Sequence, residues 1–371
     1  MRQAGIAATM VLAAMLAASA QSPSPGWKAA VVGRTIKLPA DHASHPEYKL
    51  EWWYYTGNVE AADAHRFGYQ LTFFRVGLDP APANRSAWAV RDLFMTHVAL
   101  TDVSGRRYHF TDRMNRAGPG WAGATVDRYR VWNDDWEATI DSQGRHRLSA
   151  STAEFGIDLS LAEDRPVVLH GERGFSSKGS AAGNASLYYS LTRMPTRGAI
   201  TIDGRKLAVT GLSWMDHEFG TSFLEAQQVG WDWFSIQLED GRDLMLFQLR
   251  RTDGSIDPHS SGTLVDAGSG LHTLNAGTFH LQPRAGRTWR SPVSGARYPV
   301  SWQVSVPSAG LDLIVTAAVD DQELHTEGST GVTYWEGAID VTGQSHSRPV
   351  QGRGYLEMTG YAGPSMGTVL R

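Results

Sequence analysis

The hydrophobic pattern of this chain is interrupted every few residues. Short runs of alternating apolar and polar side chains end at Gly, Asn, Asp or Pro, and apolar residues almost nowhere recur at amphipathic-helix spacing. Such a chain can bury itself only by pairing extended segments, because a period of two turns one face of each segment toward a core. The class is therefore all-β. Strands are predicted over 51–59, 65–75, 94–101, 129–131, 137–140, 146–151, 156–162, 188–193, 198–202 and 206–214. A second set is predicted over 232–238, 244–250, 277–282, 300–306, 311–318, 332–341 and 352–359. Asp203-Gly204 and Asp240-Gly241 read as type I′ hairpin turns, while 81–86 and 252–269, rich in Pro, Gly, Ser and Asp, read as loops. Short up-and-down strands in this number suit barrels better than a doubly wound sheet.

The first residues carry Arg2, an apolar run over 6–17 and then Ala18-Ser19-Ala20, the pattern of a secretory signal peptide over 1–20. A periplasmic or secreted location is expected. The apolar run is too short to span a bilayer, and no later stretch has the length of a transmembrane segment. The chain has no cysteine, which removes disulfides, thiolate catalysis and sulfur-ligated metals. A length of 371 residues favours two domains, expected as 27–222 and 223–371 with the boundary near 220–228. A net charge of −4 gives no reason to expect nucleic acid as a partner. The 13 Trp, 12 Tyr and 12 Phe beside 39 Gly suggest β-structure around an apolar cavity, and so a hydrophobic small molecule as partner.

The densest chemistry lies in Gly211-Leu-Ser-Trp-Met-Asp-His-Glu-Phe-Gly220 and Gly230-Trp-Asp-Trp-Phe-Ser-Ile-Gln237. Indole walls raise a carboxyl pKa by desolvation, and a nearby imidazole can share the proton, so Asp216, His217 and Asp232 are the candidate catalytic residues. The competing reading is a tight turn between two aromatic core strands. Alternation puts Asp232 in the apolar file with Phe234 and Ile236, where it needs a partner, for which His217 is a candidate. Trp53, Tyr55, Trp214, Trp231 and Trp233 are candidate ligand-binding residues. His97, counted with them as a candidate ligand-binding residue, lies in a file with Leu93, Met95 and Ala99 and reads either as a satisfied core histidine or as a base. Arg75 is expected to pair with Glu51. Adjacent His217 and Glu218 point to opposite faces of a strand, and no His-x-His pair supports them, so neither a metal nor a cofactor is expected. The zinc-peptidase, α/β-hydrolase, P-loop and Rossmann patterns are missing.

Glu51-Trp-Trp-Tyr-Tyr-Thr-Gly57, Gly68-Tyr-Gln-Leu-Thr-Phe-Phe-Arg75, Leu169-His-Gly-Glu-Arg-Gly-Phe-Ser-Ser-Lys-Gly179, Tyr188-Tyr189, Trp214-Met-Asp-His-Glu-Phe-Gly220 and Gly230-Trp-Asp-Trp-Phe234 occur in that order. Together they resemble the exported lipocalin-like proteins with an AttH domain, relatives of the carotenoid 1,2-hydratases (hydroxyneurosporene synthases) and often labelled predicted secreted hydrolases. The resemblance implies two tandem calycin-type β-barrels packed together, with the aromatic motifs near their junction. In the hydratase branch, water adds across an isoprenoid double bond by protonation and water capture, and His217 matches a histidine of that branch. Phe219 stands where tryptophan is expected, and Leu246-Phe247-Gln248 lacks the later Tyr-x-Asp element. Two functions are carried forward. One is an exported hydrolase- or hydratase-type enzyme acting on an isoprenoid or acyl substrate by carboxylate and histidine chemistry. The other is a non-catalytic carrier of a hydrophobic ligand.

Overall fold

The computed structural model describes residues 26–363 apart from 85, 87 and 223, so the leader expected over 1–20 lies outside the described residues. Apart from two 3-10 turns, Ala40–His42 and Pro307–Ala309, the regular structure among these residues is strand. The strands form two large antiparallel sheets and one small two-stranded one, Thr288–Arg290 with Arg297–Pro299. The first has thirteen strands between Leu50 and Ser222, and the second has ten between Gln228 and Met358. The chain leaves the first sheet at the strand Arg205–Ser222 and enters the second at Gln228–Leu238.

The first sheet curls into a nearly closed barrel. Side chains of the two outermost strands at one end and of the second strand at the other bridge the gap: Asn115 Nδ2 donates to Asn133 Oδ1 at 2.7 Å, and Asn133 Nδ2 to Thr96 Oγ1 at 3.0 Å. Inside lie Trp53, Tyr55, Tyr69, Phe73, Leu148, Leu159, Tyr189 and Met215, all essentially buried. The second sheet wraps a separate core containing Phe234, Ile236, Trp302, Leu313, Trp335 and Leu356. Two further clusters lie between the sheets. One joins Leu50, Phe74 and Met95 to Leu324 and Tyr334, and the other joins Tyr54, Tyr188 and Trp214 to Trp233, Phe247 and Tyr355. The strands that separate these compartments are therefore buried on both faces, which accounts for their near-continuous aromatic and aliphatic composition.

The sheets come close together at Gly68 and Ala338. A Cβ on Gly68 would stand 2.6 Å from Ala338 Cβ and 2.9 Å from the Tyr355 hydroxyl. Polar ties cross the same face: Asn58 Nδ2 donates to Gly354 O at 3.1 Å, and Gln237 Nε2 to Thr192 O and Ser213 O at 2.7 and 3.0 Å.

Local signals and structure differ in instructive places. Segments 188–193 and 198–202 are one strand, Ala185–Ile202, because a register shift between Leu191 and Met194 absorbs Pro195 without ending the pairing. Trp214 to Gly220 is not a turn but continues the strand Arg205–Ser222. Asp203-Gly204 is a two-residue hairpin turn with both φ values positive, whereas 239–242 is a four-residue connection in which only Gly241 has positive φ. The polar edge strand Arg107–Arg116 carries no clean alternation, and Ser261–Val265 falls inside the predicted 252–269 loop.

Candidate functional site

Side-chain alternation distributes the candidate residues among three compartments. His217, Trp53 and Tyr55 point into the first barrel, Asp232 points into the second, and Asp216, Trp214, Trp231, Trp233 and His97 face the space between the sheets. Asp216 and His217 are neighbours in sequence but lie on opposite faces of one strand. His217 is consequently not the partner of Asp232. The buried Asp232 carboxylate instead pairs with Arg250 Nε at 3.1 Å and accepts hydrogen bonds from Gln248 Nε2 at 2.8 Å and the Tyr361 hydroxyl at 3.0 Å. Burial raises its pKa, and Arg250 opposes the shift.

Between the sheets, Asp216 sits opposite Tyr54 on one side and Ser190 on the other. Its Oδ2 accepts from the Tyr188 hydroxyl at 2.6 Å, and its Oδ1 from Trp214 Nε1 at 2.6 Å and from Ser190. Tyr188 in turn accepts from Trp233 Nε1 at 3.1 Å, so a residue of the second sheet orients the group that orients Asp216. Glu336 and Glu357 stand opposite each other on paired strands of the second sheet and face the same space. Trp231 Nε1 donates to Glu357 Oε2 at 2.8 Å, and both residues are partly exposed. Glu218, on the same face as Asp216, is held by Ser186 and by Lys178 Nζ at 3.0 Å.

Several carboxylates crowded into an apolar face do not all ionise together. Burial pushes Asp216 up to about 7, against the hydrogen bonds that favour its charged form. Burial, joined by the charges of Asp216 and Glu218, pushes Glu357 up to about 7. Burial and then Glu357 raise Glu336 well above the usual carboxylate range. Gln70 Oε1 here is buried with no hydrogen-bond partner, while the Tyr54 hydroxyl and the Glu336 carboxyl interact with each other. His97 also lies on this face, its Nδ1 2.7 Å from the Tyr334 hydroxyl of the second sheet and its Nε2 3.0 Å from Ser329 Oγ. Burial lowers its pKa to about 3, so it is a neutral tie between the sheets.

The first barrel holds a second polar network. Glu51 Oε1 lies 2.8 Å from His45 Nδ1 and 3.0 Å from His217 Nε2, while Oε2 accepts from Ser44 Oγ at 2.8 Å and from Arg75 Nε at 3.1 Å. The expected Arg75–Glu51 pair is therefore present. Burial pushes Glu51 up, but hydrogen bonds from His217 and His45 and the charge of Arg75 hold it well below the carboxylate range. Burial opposes the His45 charge, yet Asp41 and Glu51 raise that imidazole to about 8. Burial lowers His217 to about 4. Two groups of side chains bring metal-ligand atoms within 4.8 Å of one another, His45 with Glu51 and His217, and His42 with His146 and Glu163. Neither group has a recognisable sequence spacing.

Glu336, Glu357, Tyr54 and Tyr188 did not stand out as site residues in sequence. A signal was present in the strand files: Tyr334 and Glu336 alternate with Trp335, and Tyr355 and Glu357 with Leu356 and Met358. An acid beside tyrosine in one file of a strand whose other file is wholly apolar marks a face that meets another sheet.

The chain is similar to two curated fungal proteins. It is 21% identical over 225 residues to kievitone hydratase of Fusarium solani subsp. phaseoli and 21% identical over 249 residues to the dehydratase asqC of Emericella nidulans. The matches cover 59% and 65% of this chain, and span 61% and 65% of the relatives' own lengths. Among solved structures, one from Nitrosomonas europaea that carries the AttH name superposes with a TM-score of 0.82 at 35% identity, covering 90% of this chain and 99% of the other. Kievitone hydratase from Nectria haematococca superposes with a TM-score of 0.69 at 19% identity, covering 92% and 98%, which is a likeness of fold. A family model described as AttH-like matches residues 29–361, and the chain belongs to that family.

Proposed function

We propose that this protein is a hydratase- or dehydratase-type enzyme that adds water to, or removes it from, a hydrophobic small molecule at the face between its two sheets. The observation that carries the reading is the pair Asp216 and Glu357, both pushed by burial to about 7 among tyrosines and tryptophans. A carboxyl group with such a pKa is part protonated at neutral pH, so it can give a proton and take it back. Hydratase and dehydratase relatives support the same reaction class. The unpaired Gln70 Oε1 is a polar group for a bound molecule to satisfy.

In the hydration direction, protonated Asp216, positioned by Tyr188 and Trp214, transfers its proton to one alkene carbon. The π pair forms the new C–H bond, and the adjacent carbon becomes cationic in front of the Trp233 and Tyr54 rings. Water attacks that carbon and loses a proton to the Glu357 carboxylate. Proton return between the acids completes the cycle, and dehydration reverses it. An isoprenoid or acyl substrate matches the aromatic lining. Export to the periplasm or beyond rests on the pattern of residues 2–20, and the division into 27–222 and 223–371 accords with the two sheets.

The test is incubation in oxygen-18 water with kievitone, isoprenoid alkenes and their tertiary alcohols, with mass spectrometry to detect gain or loss of one water. Asp216→Asn and Glu357→Gln should each lower kcat by about 10²-fold or more while ligand affinity stays within about tenfold. Saturable binding of these compounds with no isotope incorporation would establish a carrier and end the enzyme reading.

A further inference from the structure

Within the first barrel, at some remove from the acids between the sheets, His42, His146 and Glu163 converge. His42 ends the 3-10 turn Ala40–His42, His146 opens the strand His146–Ser151, and Glu163 follows the strand Phe155–Leu161, whose Leu161 pairs in register with His146. Glu163 Oε1 lies 2.8 Å from His146 Nε2 and 3.3 Å from His42 Nε2. A tetrahedral ion about 2.0–2.1 Å from each ligand holds neighbouring ligand atoms about 3.3 Å apart, so small adjustments of these side chains would seat one. Each imidazole has its other nitrogen fixed by a tyrosine: His42 Nδ1 is 2.8 Å from Tyr189 OH, and His146 Nδ1 is 2.8 Å from Tyr55 OH. Metal-binding histidines are oriented in this way by partners on the far side of the ring.

Proton counting favours this group over the other triad. If His217 donates Nε2–H to the Glu51 carboxylate, its Nδ1 accepts from Tyr189 OH, at 3.0 Å. With the Tyr189 oxygen accepting Nδ1–H from His42, the His42 Nε2 position facing Glu163 Oε1 is left to be filled by a proton or by a cation. His146 completes the set when Nδ1–H donates to Tyr55, which passes its own proton to Tyr129, 2.7 Å away. In the other triad, by contrast, Arg75, Ser44 and the His45 backbone N–H already meet Glu51. The two histidines are buried, whereas the Glu163 side chain is about a third exposed and gives an ion a way in.

We infer that His42 Nε2, His146 Nε2 and Glu163 Oε1 form a site for a divalent transition ion of the zinc class. Two imidazoles and one carboxylate leave a coordination position for water or an oxygen ligand. The experiment uses untagged full-length protein, stripped with chelator and titrated with Zn²⁺ by calorimetry, and with Co²⁺ while its visible absorption is followed. The expected result is one ion per chain, a cobalt band in the range for tetrahedral or five-coordinate nitrogen and oxygen ligation, and a Tm that rises with zinc. Glu163→Gln, at a partly exposed position, and His146→Asn should each weaken binding by about 100-fold or more while keeping the far-ultraviolet spectrum of the parent. The inference is overturned if stripped protein takes up no stoichiometric ion at micromolar zinc. It is equally overturned if Glu163→Gln binds as tightly as the parent, which would assign uptake to surface groups such as His272 and Asp266.

Discussion

Asp216 and Asp232 show how two aspartates, each in an aromatic strand, acquire different chemistry from the groups their faces meet. Asp216 meets neutral donors, so burial sets its proton affinity, while Asp232 meets the guanidinium of Arg250. For Asp216 the consequence is a dependence of stability on pH. The folded pKa of about 7 lies above the ordinary 3.8, so between about pH 4 and 7 the unfolded chain releases this proton and the folded chain retains it. Stability from this group falls as pH rises through that window, by about 1.4 kcal/mol per pH unit. Relative to the parent, Asp216→Asn should therefore gain stability from pH 5 to 7 and show a constant difference above that range, as measured by urea denaturation. For Asp232 the expectation concerns its partner. Arg250→Met leaves a buried carboxylate without its cation and should cost about 3–5 kcal/mol in the same assay, with turnover by the folded fraction unchanged. Alternation alone placed Asp232 in an apolar file. Its partner could not be read, because Arg250 and Tyr361 reach it from another strand and from beyond the last strand.

At the scale of the strand, compartments are kept apart by walls one residue thick. Leu50–Ala61 and Arg205–Ser222 each send alternate side chains into the first barrel and toward the second sheet. Such strands were legible from composition, since both files are apolar or aromatic. The polar edge Arg107–Arg116 was not, because an edge strand facing solvent has little apolar pattern to show, and Ser261–Val265, an inner strand, was hidden in a stretch rich in Gly, Ser and Asp. Close approach of two strands from different sheets also left only a faint trace, a glycine within an aromatic run. Gly68→Val would drive a side chain into Ala338 and Tyr355 and should cost about 1–3 kcal/mol. Its further expected effect, in calorimetry, is to split a single unfolding transition into two as the sheets lose their common face.

For the whole molecule, the candidate site belongs to neither sheet alone. Asp216 and Tyr188 come from the first, and Glu336, Glu357 and Trp233 from the second, so the acids reach their shared environment only when the two sheets pack. Sequence motifs pointed to this junction because the aromatic runs flank it, but the acids of the second sheet lie more than a hundred residues further along the chain. The alternation through Met215, Asp216, His217 and Glu218 carries one more consequence, for how such a chain can change over generations. Loss or gain of a single residue there would reverse the sidedness of everything beyond it, delivering imidazole to the junction and carboxylates to the barrel. Drift by substitution remains open to this strand, whereas length change is open only to the loops, so lineages descended from it should differ in loop size while keeping this strand to the residue.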